Sequence, residues 1–258
     1  MKLYLKYFSM QIKSLLEYRK TFIVSCIAQV TTSIFSFISI IFLFDKFGSI
    51  EGYTFENILI CFSISFLGFA IAECFFRGFD DFDLIIGNGE FDRILVRPRS
   101  IILQLLGTKI EFTKFGRAGA ALVICILVIM PNPELLAIDK IFTLLLMVIG
   151  TIIIYASLFI LKAGITFFTI QGLEIMNIFT DGARELATYP LNIYKKWVQN
   201  FFTYILPLAL VNYYPLLYLI GRTDNKLYIF LPLMTVLFIF PCYAVWRMGL
   251  KKYRSVGS

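Results

Sequence analysis

The chain has 258 residues, with 24 Lys and Arg against 17 Asp and Glu, a net charge of +7 and no His. Its hydrophobic content is 59% and its charged content 16%, whereas ordinary globular domains have about 45–50% apolar and about 25% charged residues. This balance excludes a soluble enzyme and indicates lipid as the solvent. The absence of His argues against zinc hydrolase and Ser-His-Asp chemistry, and no metal site is predicted. The five cysteines lie apart in apolar runs, which predicts buried, reduced thiols.

Residues 1–20 form the first predicted element, an amphipathic helix at the membrane surface. Five basic residues are spaced along this stretch among apolar ones: Lys2, Lys6, Lys13, Arg19 and Lys20. The apolar run behind it is too long for the core of a signal peptide and has no cleavage site. We therefore expect nothing to be removed from this end.

Six apolar runs follow, and each is long enough to cross a membrane as a helix of about 20 residues. They cover residues 21–44, 54–76, 113–130, 141–161, 200–220 and 227–246. The pattern predicts an all-α integral membrane protein with six transmembrane helices, in one transmembrane domain over residues 1–258. Six crossings place both termini on the same side.

The distribution of charge predicts which side that is. With the amino terminus in the cytoplasm, only four of the 24 Lys and Arg residues fall in outer loops. Basic residues concentrate in short cytoplasmic segments of membrane proteins, so both termini are predicted to be cytoplasmic. The net charge then reflects topology and contact with anionic membrane lipids, and no nucleic-acid partner is predicted.

The segment 163–199 is difficult to reconcile with six membrane crossings. Apolar character continues past Lys162 as far as Ile170 before Gln171 and Glu174 interrupt it. A seventh crossing here would put the basic carboxyl terminus outside the cell. The sequence therefore predicts an interfacial or cytoplasmic segment with a mixed helical face.

The loop 78–112, between the second and third runs, is longer than a connection between neighbouring helices requires. The Gly87 to Gly89 stretch breaks the chain, residues 90–96 can form two helical turns, and Pro98 limits further extension. Phe91, Ile94 and Leu95 fall on one face of this short helix. Such an amphipathic knob fits either lipid headgroups or a groove on another protein.

Polar residues also recur inside the predicted spans. Five in the first span share one face: Ser25, Gln29, Thr32, Ser36 and Ser39. This face either lines a translocation path or forms hydrogen bonds to neighbouring helices. In the second span, Glu73 and Arg77 are spaced for an i, i+4 ion pair, although an ionisable residue within a span is also a candidate transport site. The small residues of that span, Cys61, Ser65, Gly68 and Ala72, predict close helix packing.

In the fifth run, prolines interrupt a helix that would otherwise be straight. The residues concerned are Pro207, Asn212, Tyr213, Tyr214 and Pro215. Pro inside an apolar helix predicts either a simple kink or a re-entrant turn.

Several of these motifs resemble one known family. Residues 89–98, read as G-E-F-D-R-I-L-V-R-P, resemble the "G-E-x-D-x-x-L-x-R-P" signature of type-2 ABC exporter permeases, the six-span ABC-2 membrane family of paired permeases. Residues 14–19 resemble its "L-E-Y-R" amino-terminal helix, and Ala72-Glu73 resembles its usual "A-E" pair. The stretches 189–194 and 206–215 are similar to its carboxyl-terminal signatures.

The resemblance implies a permease subunit, not an enzyme, that binds a separate ABC ATPase and a second permease subunit in the inner membrane of a prokaryote. A heterodimer is favoured over a homodimer, and export over import. No cofactor is expected on this chain, because its nearest stretch to a phosphate loop, Gly107 to Lys109, lacks the required spacing; ATP and Mg²⁺ would bind to the ATPase. The substrate stays open among drugs, peptides, lipids and sugars. The alternative is an ion channel or small secondary transporter that works without an ATPase.

The resemblance also implies roles for particular residues. The stretch 1–20 would be the connecting helix, and the break in the fifth run would lie at an outer gate. The short loop helix would be the coupling helix that docks the ATPase. Its predicted docking residues are Gly89, Glu90, Phe91, Asp92, Arg93, Ile94, Leu95, Arg97 and Pro98.

Overall fold

The computed structural model describes residues 2–169 and 174–254, and within these ranges every regular element is helical. The α-helices are α1 (Lys2–Glu17), α2 (Arg19–Phe47), α3 (Phe55–Asp80), α4 (Phe82–Gly87), α5 (Glu90–Leu95), α6 (Ile101–Thr108), α7 (Phe115–Ile129), α8 (Ile138–Thr166), α9 (Glu174–Asn177), α10 (Ala183–Leu186), α11 (Lys196–Asn200), α12 (Tyr213–Leu219), α13 (Leu227–Phe230) and α14 (Val236–Lys252). Two π-helical stretches, Ile178–Gly182 and Phe201–Ile205, and several short 3₁₀ turns join them.

Five continuous helical stretches are long and apolar enough to span a membrane. They are Arg19–Phe47, Phe55–Gly87, Phe112–Ile129, Ile138–Thr166 and Leu227–Lys252. At a rise of about 1.5 Å per residue, each exceeds or nearly matches a hydrocarbon core of about 30 Å. The predicted all-α, multi-pass membrane fold is confirmed.

Helix α3 lies at the centre of the fold, against α8. A methyl group built at Gly68 would come within 2.5 Å of the Thr151 Cγ2 atom in α8, so the two backbones approach as only a glycine permits. The Ser65 hydroxyl donates a hydrogen bond to the Ala187 carbonyl at 2.9 Å. The predicted stripe of small residues in this span is therefore a packing seam.

Helix α1 packs on α6. The Gln11 amide donates a hydrogen bond to the Thr108 carbonyl at 3.2 Å, and a methyl group at Gly107 would meet the Tyr7 ring within 2.5 Å. The predicted amino-terminal helix is present, ending at Glu17 before α2 begins at Arg19. Gly107 is a packing contact in a helix and not part of a phosphate loop.

Residues 174–194, which we call the fifth passage, run along α3 from its Asp80 end toward its Phe55 end. At the Asp80 end, the Lys162 amine bonds both Asp80 (2.6 Å) and Asn177 (3.2 Å). Further along, the Arg184 guanidinium lies over the rings of Phe66 and Phe69 in α3, 4.9 and 4.8 Å from their centres.

At the other end, Tyr189 and Ile193 pack in the cluster that contains Tyr53 and Ile58, and Asn192 lies beside the Tyr53 side chain. The fifth passage runs along α3 and traverses the helix bundle, whereas an interfacial or cytoplasmic segment was predicted over 163–199; residues 163–166 belong to α8. Hydropathy missed this passage because Asp181, Arg184 and Glu185, which pair with one another, lower its apolar character. Residues 170–173, which belonged to the same prediction, lie outside the described residues.

The helices Lys196–Ile205 and Leu208–Leu219 form a re-entrant pair, bent by 83° at the intervening break. The first runs inward until Phe201 stacks on Phe179, with ring centres 6.0 Å apart. The second returns to the end where it started, because the Tyr218 hydroxyl bonds Asp139 at the beginning of α8, at 2.5 Å. The chain breaks at Pro207, where an interruption was predicted, and residues 200–220 do not form one straight helix. Among the described residues, five helices are long and apolar enough to span a membrane, or six if the bent pair counts as one.

Candidate functional site

The loop predicted to dock a partner folds as three short helices, α4, α5 and α6. Gly89 begins α5 with φ of 71°, a left-handed conformation that favours glycine and lets the chain reverse after α4. The Gln104 amide in α6 is buried and donates to the carbonyls of Ile94 (3.1 Å) and Arg99 (3.3 Å). Sequence reasoning missed Gln104, although a lone amide within an apolar helix was an available signal.

Helix α5 is fastened by an aromatic cluster that we call the aromatic anchor. It consists of Phe82, Phe91, Phe167, Trp246 and Tyr253. The Phe91 ring is fully buried and lies 5.0, 5.5 and 4.9 Å from the ring centres of Phe82, Phe167 and Tyr253. The anchor therefore connects α5 to the end of α8 and to the end of α14.

This burial corrects one prediction. Phe91 and Ile94 were expected to fill a groove on a partner, but both side chains are buried within the chain itself. The apolar face of α5 packs on the rest of the chain, because Phe82 and Phe167 already present a ring surface there. Leu95 alone of the predicted face is exposed.

What α5 presents outward is its last turn and the residues after it, which we call the loop tip. The loop tip comprises Leu95, Val96, Arg97, Pro98 and Arg99, all exposed, with the Val96 side chain 82% exposed. Glu90 and Arg93 are also exposed on the flanks of α5.

On its other flank, α5 is tied to the tail of the protein. The Tyr253 hydroxyl donates to Asp92 at 3.0 Å. Burial and this hydrogen bond raise the pKa of Tyr253 above its usual value of 10.0, so the hydroxyl keeps its proton at neutral pH. The bond is thus present under physiological conditions.

Charged residues converge near the Asp80 end of α3. Glu73 contacts three cations: Arg77 at 3.3 Å, Lys114 at 2.7 Å and Arg117 at 3.0 Å. The predicted Glu73–Arg77 pair is confirmed, but it is one of three ion pairs. Glu73, Lys114 and Arg117 are all buried, so the Glu73 carboxylate compensates the charges of Lys114 and Arg117 as well as that of Arg77.

The predicted polar face of α2 has mixed surroundings. The Gln29 side-chain oxygen accepts a hydrogen bond of 2.6 Å from Arg117, which joins α2 to α7. Thr32 and Ser39 are exposed and bond carbonyls of their own helix, while Ser25 and Ser36 are half-buried. Gln29 therefore serves helix packing, and the role of the other four in a path stays a prediction.

We expect Gln29→Leu to lower the free energy of unfolding by about 1–2 kcal/mol, because the buried Arg117 loses an interhelical acceptor. Thermal denaturation of the purified protein in detergent would measure this. Thr32→Val is the matched control, since its hydroxyl bonds only the Gln29 carbonyl of its own helix. Equal melting temperatures for the two variants would contradict the interhelical role.

A second charged group was not singled out from the sequence. Arg184 in the fifth passage contacts Asp181 at 3.3 Å and Glu185 at 2.7 Å. We call these three residues the 181–185 cluster. The guanidinium is only 13% exposed, whereas the side chains of Asp181 and Glu185 are 59% and 52% exposed. The i, i+3 spacing of Asp181 and Arg184 was a signal, but the segment was thought to lie outside the bundle.

The predicted gate residues lie in the re-entrant pair. Asn212 is buried and its amide donates to the Ala187 carbonyl in the fifth passage. Tyr213 and Tyr214 line a cavity of about 100 Å³ beside Asn192, and Pro215 is buried in α12. Pro207 stands at the break itself. The structure places Asn212, Tyr213 and Tyr214 against the fifth passage, whereas Pro207 and Pro215 lie within the re-entrant pair.

Comparison with known proteins agrees with this architecture. Residues 30–257 match the family described as ABC-2 family transporter protein. Searches of curated proteins and of solved structures returned no match. The family match extends from within α2 to beyond α14 and so includes both charged groups, the aromatic anchor and the re-entrant pair. The chain therefore belongs to the ABC-2 family of transporter proteins, as a multi-pass membrane component.

Proposed function

We propose that this protein is the permease subunit of an ATP-driven exporter in the inner membrane of a prokaryote. It would pair with a second permease subunit, a different chain in preference to a copy, and bind a separate ABC ATPase that holds ATP and Mg²⁺. The observation that carries the proposal is the loop tip. It is an exposed, basic and apolar surface on a helix that is itself locked to the membrane helices.

The aromatic anchor supports a mechanical role for this tip. A force applied to Val96 or Arg97 acts on α5, whose Phe91 ring is packed on Phe167 at the end of α8 and on Tyr253 at the end of α14. Close-packed rings transmit displacement because interiors have little room to deform. Closure of the ATPase would thus rock these helices and alternate access to a path between two permease subunits.

The distribution of basic residues supports a cytoplasmic position for the loop tip. Residues 1–20, 77–117 and 247–254 together carry 16 of the 24 Lys and Arg residues, which favours the cytoplasm for this side of the protein. We count the fifth passage as a crossing, which places Lys195 and Lys196 on the other side, and the bias remains. Both termini are then cytoplasmic, and the re-entrant pair opens to the outside.

We expect Val96→Asp with Arg97→Glu to abolish co-purification of the ATPase, because the double change replaces an apolar and a cationic contact with two anions. The complex would be isolated in mild detergent and the ATPase quantified per permease. Asp224→Asn, in the exposed loop before α13 and outside the loop 78–112, is the control and should leave the ratio unchanged.

Cross-linking gives a positional check. A cysteine at position 96 should cross-link to the ATPase, whereas a cysteine at the buried position 91 should not. The docking surface proposed here is wrong if position 91 reacts and position 96 does not.

A further inference from the structure

A polar cavity lies between the two arms of the re-entrant pair, Lys196–Ile205 and Leu208–Leu219, where they meet the fifth passage. Its volume is about 100 Å³, whereas one buried water needs only about 10–15 Å³. The cavity therefore admits a group of several heavy atoms. Its polar lining includes Asn192 of the fifth passage, Lys196, Asn200 and Tyr204 of the first arm, and Tyr213 and Tyr214 of the second arm.

The charge of the lining favours an anion. Among the described residues that line the cavity, Lys196 is charged and the others are neutral. The Lys196 ammonium forms no ion pair within residues 2–169 and 174–254. Tyrosine rings can also hold a cation, but an ammonium group in the same cavity would repel it.

The lining also supplies hydrogen-bond donors. The hydroxyls of Tyr204, Tyr213 and Tyr214 form no hydrogen bond to other residues in the part of the chain that the structure describes. The amides of Asn192 and Asn200 add further N–H groups. Hydrogen bonds from such donors to an anionic oxygen are shorter and stronger than those between neutral groups. A group with several oxygens that share one negative charge, such as a phosphodiester, matches this lining.

A second cavity, on the same arm, is apolar. It has a volume of about 290 Å³ and is lined by Phe201 and Ile205 of the first arm and by apolar side chains of α8, the fifth passage and α14. Because the first arm runs inward from Lys196, the apolar cavity lies deeper in the bundle than the Lys196 end of the polar one. A phospholipid has the same order, with a charged headgroup at the surface and acyl chains below.

The side chains at the entrance suit this depth. Trp197, next to Lys196, is 70% exposed, and Tyr204 is 82% exposed. Exposed Trp and Tyr side chains are enriched where a membrane protein meets the lipid headgroups. Lys196 is thereby placed near the level of the lipid phosphates.

We propose that the polar cavity binds the phosphate group of an anionic phospholipid, such as phosphatidylglycerol, with one acyl chain in the apolar cavity. The lipid comes from the leaflet on the side to which the re-entrant pair opens. The Lys196 ammonium pairs with the phosphate, and the tyrosine hydroxyls donate to its oxygens. Phosphatidylcholine is disfavoured, because its own ammonium group would lie near Lys196. The site goes beyond the proposed function, since it requires neither an ATPase nor transport.

The test uses Trp197 as a local reporter. The chain has two Trp residues, and the other, Trp246, is buried in the aromatic anchor. The full-length protein is reconstituted in vesicles of brominated phosphatidylglycerol with plain phosphatidylcholine, and in the converse mixture. Bromine quenches nearby Trp fluorescence, so the two mixtures report which lipid lies beside Trp197. We expect a preference of about fivefold for phosphatidylglycerol, from one unit charge at contact distance in water.

Three variants locate the preference. Lys196→Met should abolish it, whereas Lys226→Met, which removes an exposed charge from the loop before α13, should leave it unchanged. Tyr214→Phe removes one donor and keeps the ring that packs on Tyr213 and Tyr228, 5.2 and 5.4 Å away. This variant should fold normally and reduce the preference.

The lipid is distinguished from a free phosphodiester with soluble glycerophosphoglycerol, which carries the same headgroup without acyl chains. Added at millimolar concentration to vesicles of phosphatidylcholine alone, it should leave the Trp197 emission unchanged. A change that Lys196→Met removes would show a site for a free phosphodiester and overturn the assignment to a lipid.

Two further outcomes would overturn the proposal. Equal quenching in the two mixtures would show that the site does not select an anionic headgroup. Equal losses in Lys196→Met and Lys226→Met would show a general effect of positive charge instead of a cavity. None of these measurements involves the ATPase, so failure of the ATPase to co-purify would refute the proposed function and leave the lipid site standing.

Discussion

Replacing Glu73 by Ala is expected to lower the free energy of unfolding by about 3–5 kcal/mol. The substitution removes the carboxylate that contacts buried Arg117 and leaves buried Lys114 only its longer contact with Glu111, at 3.9 Å. A poorly compensated buried charge is among the most costly defects in a protein. The fraction of monodisperse protein after heating, measured by size-exclusion chromatography in detergent, would report the change.

Two variants sharpen this prediction. Glu56→Ala removes an exposed carboxylate from the same helix and should cost less than about 0.5 kcal/mol. Adding Arg117→Met to Glu73→Ala should restore part of the stability, because one of the unpaired cations is removed. If Glu73→Ala and Glu56→Ala are equally stable, Glu73 does not hold the network together.

Gly164→Leu is expected to prevent correct folding. A methyl group at this position would lie 2.8 Å from the backbone nitrogen of Trp246 in α14, and the Gly164 carbonyl is itself 2.7 Å from a methyl group built at Gly249. Backbone atoms cannot rotate away as a side chain can, so α8 and α14 would separate and the aromatic anchor would lose Trp246. The cost should exceed the roughly 1–3 kcal/mol of ordinary overpacking.

The chain offers a matched control in α7. A methyl group at Gly119 would have no neighbour within 4 Å, so Gly119→Leu adds the same side chain without a clash. We expect normal yield of folded protein for Gly119→Leu and little or none for Gly164→Leu, as judged by size-exclusion chromatography after gentle solubilisation. Similar yields would mean that the contact between α8 and α14 tolerates a larger separation.

The sequence predicted the parts of the fold that depend on hydropathy. Helices α2, α3, α7 and α8 and the last span follow from long apolar runs, because each run exceeds or nearly matches the length that a hydrocarbon core requires. The fifth passage did not, since Asp181, Arg184 and Glu185 lower its hydropathy. Their charges pair with one another, and hydropathy does not register such pairing.

In the candidate site, the sequence pattern predicted helix faces but not the residues that contact them. Periodicity identified the apolar face of α5, and that face is real. It could not show that Phe91 packs on Tyr253, more than 150 residues later, instead of on another protein. In the same way, the polar face of α2 gave no indication that Gln29 contacts Arg117. Periodicity shows which side of a helix is polar, but it does not show which residue packs against that side.

The aromatic anchor also sets an order of events during synthesis. Asp92 and Tyr253 are separated by 161 positions, which a ribosome adds in roughly 10–30 seconds at about 5–20 residues per second. During that interval α5 has emerged, but the rings from α14 that hold it in place do not yet exist. The loop tip of a nascent chain is therefore not held in position until the last span has been synthesised. An ATPase that binds only the correctly positioned loop tip would bind completed permeases and not unfinished ones.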